Sequence, residues 1–272
     1  MHIENLISNN VKVIEQEGMF SVLEHITDLS QFTASEAISR YYMSNQGIRK
    51  RQLKIELTNQ TVRLQAGAMQ WMAGELELTS GVKGLGGLIG GAVRGAVTGE
   101  KAVVPQYKGT GIVITEPTYK HIFLIDVGQS PDGLVIADGL FYACDASLKM
   151  EVEFVKSVTG AVAGNQGWFN MRLVGGGVAA MESPIPFSEL IRIDLAANDT
   201  LKVDGSFAIM WEGGITMTVE RAGKSLIGSA MTGEGLTNVY RGNGSVYLAT
   251  PAASAGVNYG SIVAGQKVQQ NN

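Results

Sequence analysis

One glycine spacing occurs three times in the chain, and it constrains the fold more than any other feature. Gly109-Thr-Gly111, Gly175-Gly-Gly177 and Gly242-Asn-Gly244 each precede a short apolar run and a proline, at Pro117, Pro184 and Pro251. Their second glycines are 66 and 67 residues apart. Upstream blocks centred on Ala66-Gly67, Asp138-Gly139 and Asp204-Gly205 recur with them. The distances Gly111 to Gly139 and Gly177 to Gly205 are both 28 residues. Self-similarity of this kind changes the meaning of every motif inside it.

Each copy also contains a strictly alternating stretch: Leu53, Ile55, Leu57; then Phe123, Ile125, Val127; then Ile191, Ile193, Leu195. Period two with branched residues predicts half-buried strands. Past each marker glycine, Met69, Phe141 and Phe207 are expected to coincide, as are Met72, Cys144 and Met210. Asp-Gly turns and short apolar runs describe an all-β unit of roughly 66 residues used three times, most simply about a pseudo-threefold axis. One such unit has a weak core alone and stacks on its siblings.

The expected organisation is a single domain: a first repeat at 39–117 with an extension at 1–38, a second at 118–184, a third at 185–251 and a tail at 252–272. The first copy is about six residues longer, which places an insertion at Gly81–Gly99. Thr33-Ala-Ser-Glu36 is a capping-box pattern, so a short helix is predicted over Ala34–Asn45, stopped at Gln46-Gly47. Lys12–Ile26 reads as one or two strands able to close the ring beside the third copy.

Composition excludes several classes. The 272 residues carry 21 Lys and Arg against 25 Asp and Glu, a net charge of -4, so no overall field draws the chain to nucleic acid or anionic membrane. With 35 glycines, 6 prolines and 45% hydrophobic residues, it is neither collagen-like nor Pro-rich disorder. A single cysteine, Cys144, permits no internal disulfide and fits a reducing compartment. Met1–Gly18 lacks the apolar core of a signal peptide, so the expected location is the cytoplasm. Gly81–Gly99 and Gly242–Gln266 are uncharged or nearly so, but their charges, proline and small residues fall short of a spanning helix, and no membrane role is expected.

The catalytic inventory is poor. His2, His25 and His121 are the only histidines, without metal-ligand spacing, and no Gly-x-Ser-x-Gly elbow is present. Gly175–Ala180 fits Gly-x-Gly-x-x-Ala, but Pro184 and Pro186 stop the helix a pyrophosphate needs, and Gly223-Lys-Ser225 lacks the first glycine of a phosphate loop. No catalytic residue, cofactor or metal is therefore expected. Cys144 shares its slot with methionines and reads as a core hydrophobe.

Two clusters remain as candidate sites. Arg49, Lys50, Arg51 and Lys54 put four cations in six residues and could grip a phosphate, although a solvated corner is the preferred reading. Tyr41 and Tyr42 nearby could stack a base but suit packing better. Glu56, Asp126 and Asp194 occupy equivalent positions on the three alternating strands. Brought together on an axis they could hold a cation; an outward solvated ring is preferred.

Ala66-Gly-Ala-Met-Gln-Trp-Met72, Glu116-Pro-Thr-Tyr-Lys-His-Ile122, Asp138-Gly-Leu-Phe-Tyr-Ala-Cys-Asp145 and Gly233-Glu-Gly-Leu-Thr-Asn-Val-Tyr-Arg-Gly-Asn-Gly244 resemble the "altered inheritance of mitochondria" family. The resemblance covers Gln52–Pro251, with a looser match over Val22–Gly47. It implies three repeats similar to subunits of the tryptophan RNA-binding attenuation protein, each a β-sandwich or short double-stranded β-helix. It implies no activity, and function belongs to sites rather than folds.

These readings converge on a non-enzymatic binding or scaffold protein, cytoplasmic and self-associating as a homo-oligomer through sheet edges or faces. Two alternatives stay open. One is nucleic-acid or anion binding at the basic corner; the other is a small-molecule enzyme with a dispersed site.

Overall fold

The structure is a computed structural model that describes residues 2–30, 33–79, 104–154, 156–157, 169–221 and 236–249. The predicted insertion Gly81–Gly99, the Gly223-Lys-Ser225 lookalike and the tail 252–272 lie outside them.

The amino-terminal part begins with β1 (Val11–Glu17) and β2 (Phe20–His25), an antiparallel hairpin that turns at Gly18. Then comes α1 (Ala34–Asn45). Its capping box forms as predicted, with Glu36 N donating to Thr33 Oγ1 at 3.2 Å and Thr33 N donating to Glu36 Oε2 at 2.9 Å. Gly47 follows with a φ of 76°, the left-handed stop expected there.

The remaining elements of the described chain are strands apart from two 3-10 turns, Val127–Gln129 and Phe187–Glu189; the first ends the alternating stretch of Phe123 and Ile125 before Val127. The first segment holds β3 (Arg51–Leu64), β4 (Met69–Thr79) and β5 (Gln106–Thr115). The second holds β6 (His121–Asp126), β7 (Leu134–Ile136), β8 (Phe141–Asp145), β9 (Lys149–Phe154), the short β10 (Lys156–Ser157), β11 (Phe169–Val174) and β12 (Val178–Ser183). The third holds β13 (Ile191–Leu195), β14 (Thr200–Asp204), β15 (Ala208–Glu212), β16 (Ile215–Arg221), β17 (Leu236–Gly242) and β18 (Gly244–Leu248). The marker glycines Gly67, Gly139 and Gly205 sit in the turns before β4, β8 and β15 with φ of 83°, 80° and 60°, a region a side chain resists.

The pairings recur between segments. β4 pairs β5, β8 pairs β12 and β15 pairs β18, each ladder slipping by one residue near its start: at Met69/Trp71, at Ala180/Met181 and at Ala208/Met210. β8 also lies against the end of β3, and β15 against β7. The ladders correct two expected equivalences. Ala208, not Phe207, takes the place of Met69 and Phe141, facing Leu248 as they face Thr115 and Met181. Met72 faces Val113, Cys144 faces Ala179 and Trp211 faces Val246, each partner two residues beyond the second glycine of its Gly-x-Gly. Trp211, not Met210, fills the Cys144 slot. A one-residue difference in the turn after Gly205 moves every side chain to the opposite face, which glycine counting cannot detect.

An eight-stranded sheet runs β1-β2-β3-β8-β12-β6, with β5 branching from β3 and β4 pairing on the far side of β5. It nearly closes into a barrel: Leu124 N of β6 donates to Glu15 Oε1 of β1 at 3.1 Å. The amino-terminal strands, expected beside the third copy, lie instead on β3 and next to β6. The physical reason is the apolar pattern of β2, whose Phe20 and Val22 are fully buried with Leu53, Ile55 and Val113 in the barrel core. A six-stranded sheet, β13-β18-β15-β7-β11-β9, and a four-stranded sheet, β10-β16-β17-β14, complete the molecule.

Candidate functional site

The basic cluster lies where α1 hands over to β3, and neighbouring carboxylates hold all four of its cations. Glu24 stands opposite Arg51 in the β2–β3 ladder. Glu24 Oε2 accepts from Arg51 Nε at 2.9 Å and NH2 at 2.6 Å, while its Oε1 accepts from Arg49 NH1 at 2.9 Å. Arg51 is only 5% exposed, and its remaining donors reach the carbonyls of Gly47, Arg49 and Lys120. It is a strand fastener rather than a surface charge.

Asp28 collects the next group. It accepts from Lys50 Nζ at 3.0 Å, from Ser30 N at 3.0 Å and Oγ at 2.6 Å, and from Arg40 and the Tyr119 hydroxyl. Arg40 in turn donates to the Tyr119 oxygen at 2.7 Å. This ties α1 to the sheet, since no residue of the helix is buried. Burial, helped by the Arg40 charge, pushes the Lys50 ammonium below its ordinary range. Lys54 pairs with Glu56 at 2.9 Å. A phosphate entering here would have to displace three carboxylates.

The helix tyrosines do not pack as expected. Tyr41 and Tyr42 are 65% and 64% exposed and touch each other edge to face.

The three strand carboxylates each act locally. Glu56 holds Lys54, Asp126 Oδ1 accepts from Gly128 N at 3.0 Å as a cap, and Asp194 Oδ1 accepts from Arg192 Nε at 2.8 Å and Ser245 Oγ at 2.7 Å. These bonds pull the Asp194 carboxyl below its usual range. Among the described residues no three His, Cys, Asp or Glu side chains group closely enough to hold a metal ion, so the axial cation site is not formed.

The histidines are scattered. His2 is exposed beside Glu4, and His25 Nε2 lies 3.1 Å from Gln52 Oε1. His121 opens β6; burial and the nearby Arg51 charge lower its pKa to about 4. An open cleft of about 360 Å³ is lined by Ile3, Asn5, Leu6, Ile7, Lys54 and Ile112, with Lys54 its one charged group. The residues that organise the corner, Glu24, Asp28, Arg40 and Tyr119, escaped sequence reasoning because 12 to 91 residues separate Asp28 from Arg40 and Tyr119.

The fold and this corner define an all-β protein whose principal charge cluster is spent on fastening strands and helix together. No helix among the described residues is long and apolar enough to cross a membrane. The chain belongs to the family described as Mitochondrial biogenesis AIM24, which matches residues 43–251, as the sequence resemblance implied. It is similar to an uncharacterised protein, M6_Spy0233, of Streptococcus pyogenes serotype M6: 26% identical over 195 residues, covering 69% of this chain and 76% of the relative. A crystal structure of protein SPYM3_0169 from Streptococcus pyogenes matches with a TM-score of 0.53 and 25% identity, covering 75% of this chain and 89% of the other.

Proposed function

We propose that this protein is a non-enzymatic, cytoplasmic binding or scaffold module that works by associating with copies of itself. The observation that carries this reading is the contrast between its charges and its sheet edges. Every cation of the basic corner is already ion-paired, to Glu24, Asp28 or Glu56, whereas strands β4 and β14 each have a ladder partner on one side only among the described residues. An unpaired edge is a template for another strand. The lone cysteine, buried and unpaired, suits a reducing compartment.

Sedimentation equilibrium on the full chain tests this. A concentration-dependent mass above that of the 28.9 kDa monomer is expected at micromolar protein. Monomer at every concentration overturns the reading. Anion or nucleic-acid binding at Arg49, Lys50, Arg51 and Lys54 remains the competing function, and it requires steep loss of binding with added salt.

A further inference from the structure

We infer that β14 of one molecule adds, antiparallel, to the open edge of β4 of a second copy, in the register the chain already uses twice within itself. This rests on the self-association reading and names its surface.

The two internal precedents are short ladders between segments. Val62, Arg63 and Leu64 of β3 face Asp145, Cys144 and Ala143 of β8. Leu134, Val135 and Ile136 of β7 face Glu212, Trp211 and Met210 of β15. The third member of the donor set is β14: Leu201 faces Tyr240, as Leu134 faces Leu173 and Val62 faces Tyr107, each partner two residues before the first glycine of its Gly-x-Gly. The third member of the acceptor set is β4, whose Met72 occupies the slot of Cys144 and Trp211. Among the described residues β14 pairs only with β17 and β4 only with β5.

Burial shows what the missing neighbour would cover. Cys144 and Trp211 are 0% and 2% exposed, whereas Met72 is 39% exposed. The strand, without a second ladder neighbour among the described residues, nevertheless carries Met69, Trp71, Met72 and Ala73, interrupted only by Gln70. By the internal precedent, Leu201, Lys202 and Val203 would lie opposite Ala73, Met72 and Trp71. Each strand would supply backbone hydrogen bonds to the other, and the apolar side chains would gain cover.

A second copy is the occupant because the two edges terminate different sheets of one molecule, with no ladder joining β4 to β14 among the described residues. Pairing between molecules completes both edges and leaves each molecule's own sheets as they stand. Since the two surfaces differ, the contact is head to tail, and every copy has both a donor and an acceptor; closure gives a ring.

The test mixes full-length Met72→Cys protein with Lys202→Cys protein under mild oxidation. Directly opposed antiparallel residues have Cα atoms roughly 4.5 to 5.5 Å apart, within the roughly 4.4 to 6.8 Å span of a disulfide. A cross-linked dimer is expected from the mixture and from neither protein alone. The Met72→Lys variant, altered at a position open to water in the single molecule, is expected to weaken association at least tenfold while keeping the far-UV spectrum. The doubly substituted Met72→Cys/Lys202→Cys chain is the control: a disulfide formed only within its own molecule, or none in any sample, overturns the pairing. Wild-type oligomers that persist without the cross-link reject this edge alone, whereas monomeric wild-type protein rejects self-association as well.

Discussion

Arg51 presents Nε and NH2 to a single oxygen of Glu24, at 2.9 and 2.6 Å, across the ladder that joins the amino-terminal hairpin to β3. Both side chains are nearly withdrawn from water, so neither charge is free to change partners at small cost. The geometry that makes the corner look like an anion site in the sequence thus makes it a fastener in the fold.

Removing Arg51 leaves the partly buried Glu24 with Arg49 as its one remaining ion-pair partner among the described residues, and Oε2 without its two donors. Arg51→Ala is expected to lower stability by about 3 to 5 kcal/mol, read as a fall in the urea midpoint. The double change Arg51→Met/Glu24→Leu is expected to recover most of that loss, because two apolar side chains leave no buried charge on the ladder and Arg49, 36% exposed, can turn to water. Equal losses in the single and double variants would contradict the fastener role.

His121 sets an acid limit. Its pKa falls from 6.5 to about 4 on folding, because burial and then the Arg51 charge disfavour the imidazolium. Between those values the unfolded chain binds the proton and the folded one does not. Stability is therefore full above pH 6.5, falls as pH drops towards about 4, and levels off below. The full shift corresponds to about 3 kcal/mol, and residual solvation of the ring reduces the expected change to about 1 to 2 kcal/mol. His25, lowered by burial, adds the same sign. Urea midpoints from pH 7 to pH 4 on the wild type and on His121→Gln check this; an equally steep decline in the variant would refute it.

Cys144 is a packing residue. It is fully buried, and burial pushes its thiol up to about 12. Native protein is expected to leave a thiol reagent such as DTNB unreacted for hours at pH 8 and to release one equivalent once unfolded in urea. Rapid reaction of the native protein would show an open path to the sulfur.

Two glycines separate backbone strain from collision. A methyl group on Gly109 would stand 2.0 Å from the Glu75 carbonyl oxygen across the β4–β5 ladder, at a φ of 135°. On Gly47, at a φ of 76°, it would meet nothing within 4 Å. Gly47→Ala is expected to cost about 1 to 2 kcal/mol from the left-handed conformation alone. Gly109→Ala should cost more and loosen β4, seen as faster amide exchange along Met69–Thr79.

What could be read directly from the chain was whatever depends on near neighbours. The alternation around Leu53, Ile55 and Leu57, the capping box at Thr33 and Glu36 and the left-handed marker glycines are short-range matters of sterics and hydrogen bonding, and each stands where its local sequence places it. Ion-pair partners and strand neighbours were decided by the tertiary structure. Glu24 reaches Arg51 and Asp28 reaches Tyr119 only because distant strands converge, and Trp211 replaced Met210 in the Cys144 slot through a one-residue difference that spacing cannot register. Ion pairing and strand register are properties of pairs. A linear pattern names the members, but only the folded ladder says which of them meet.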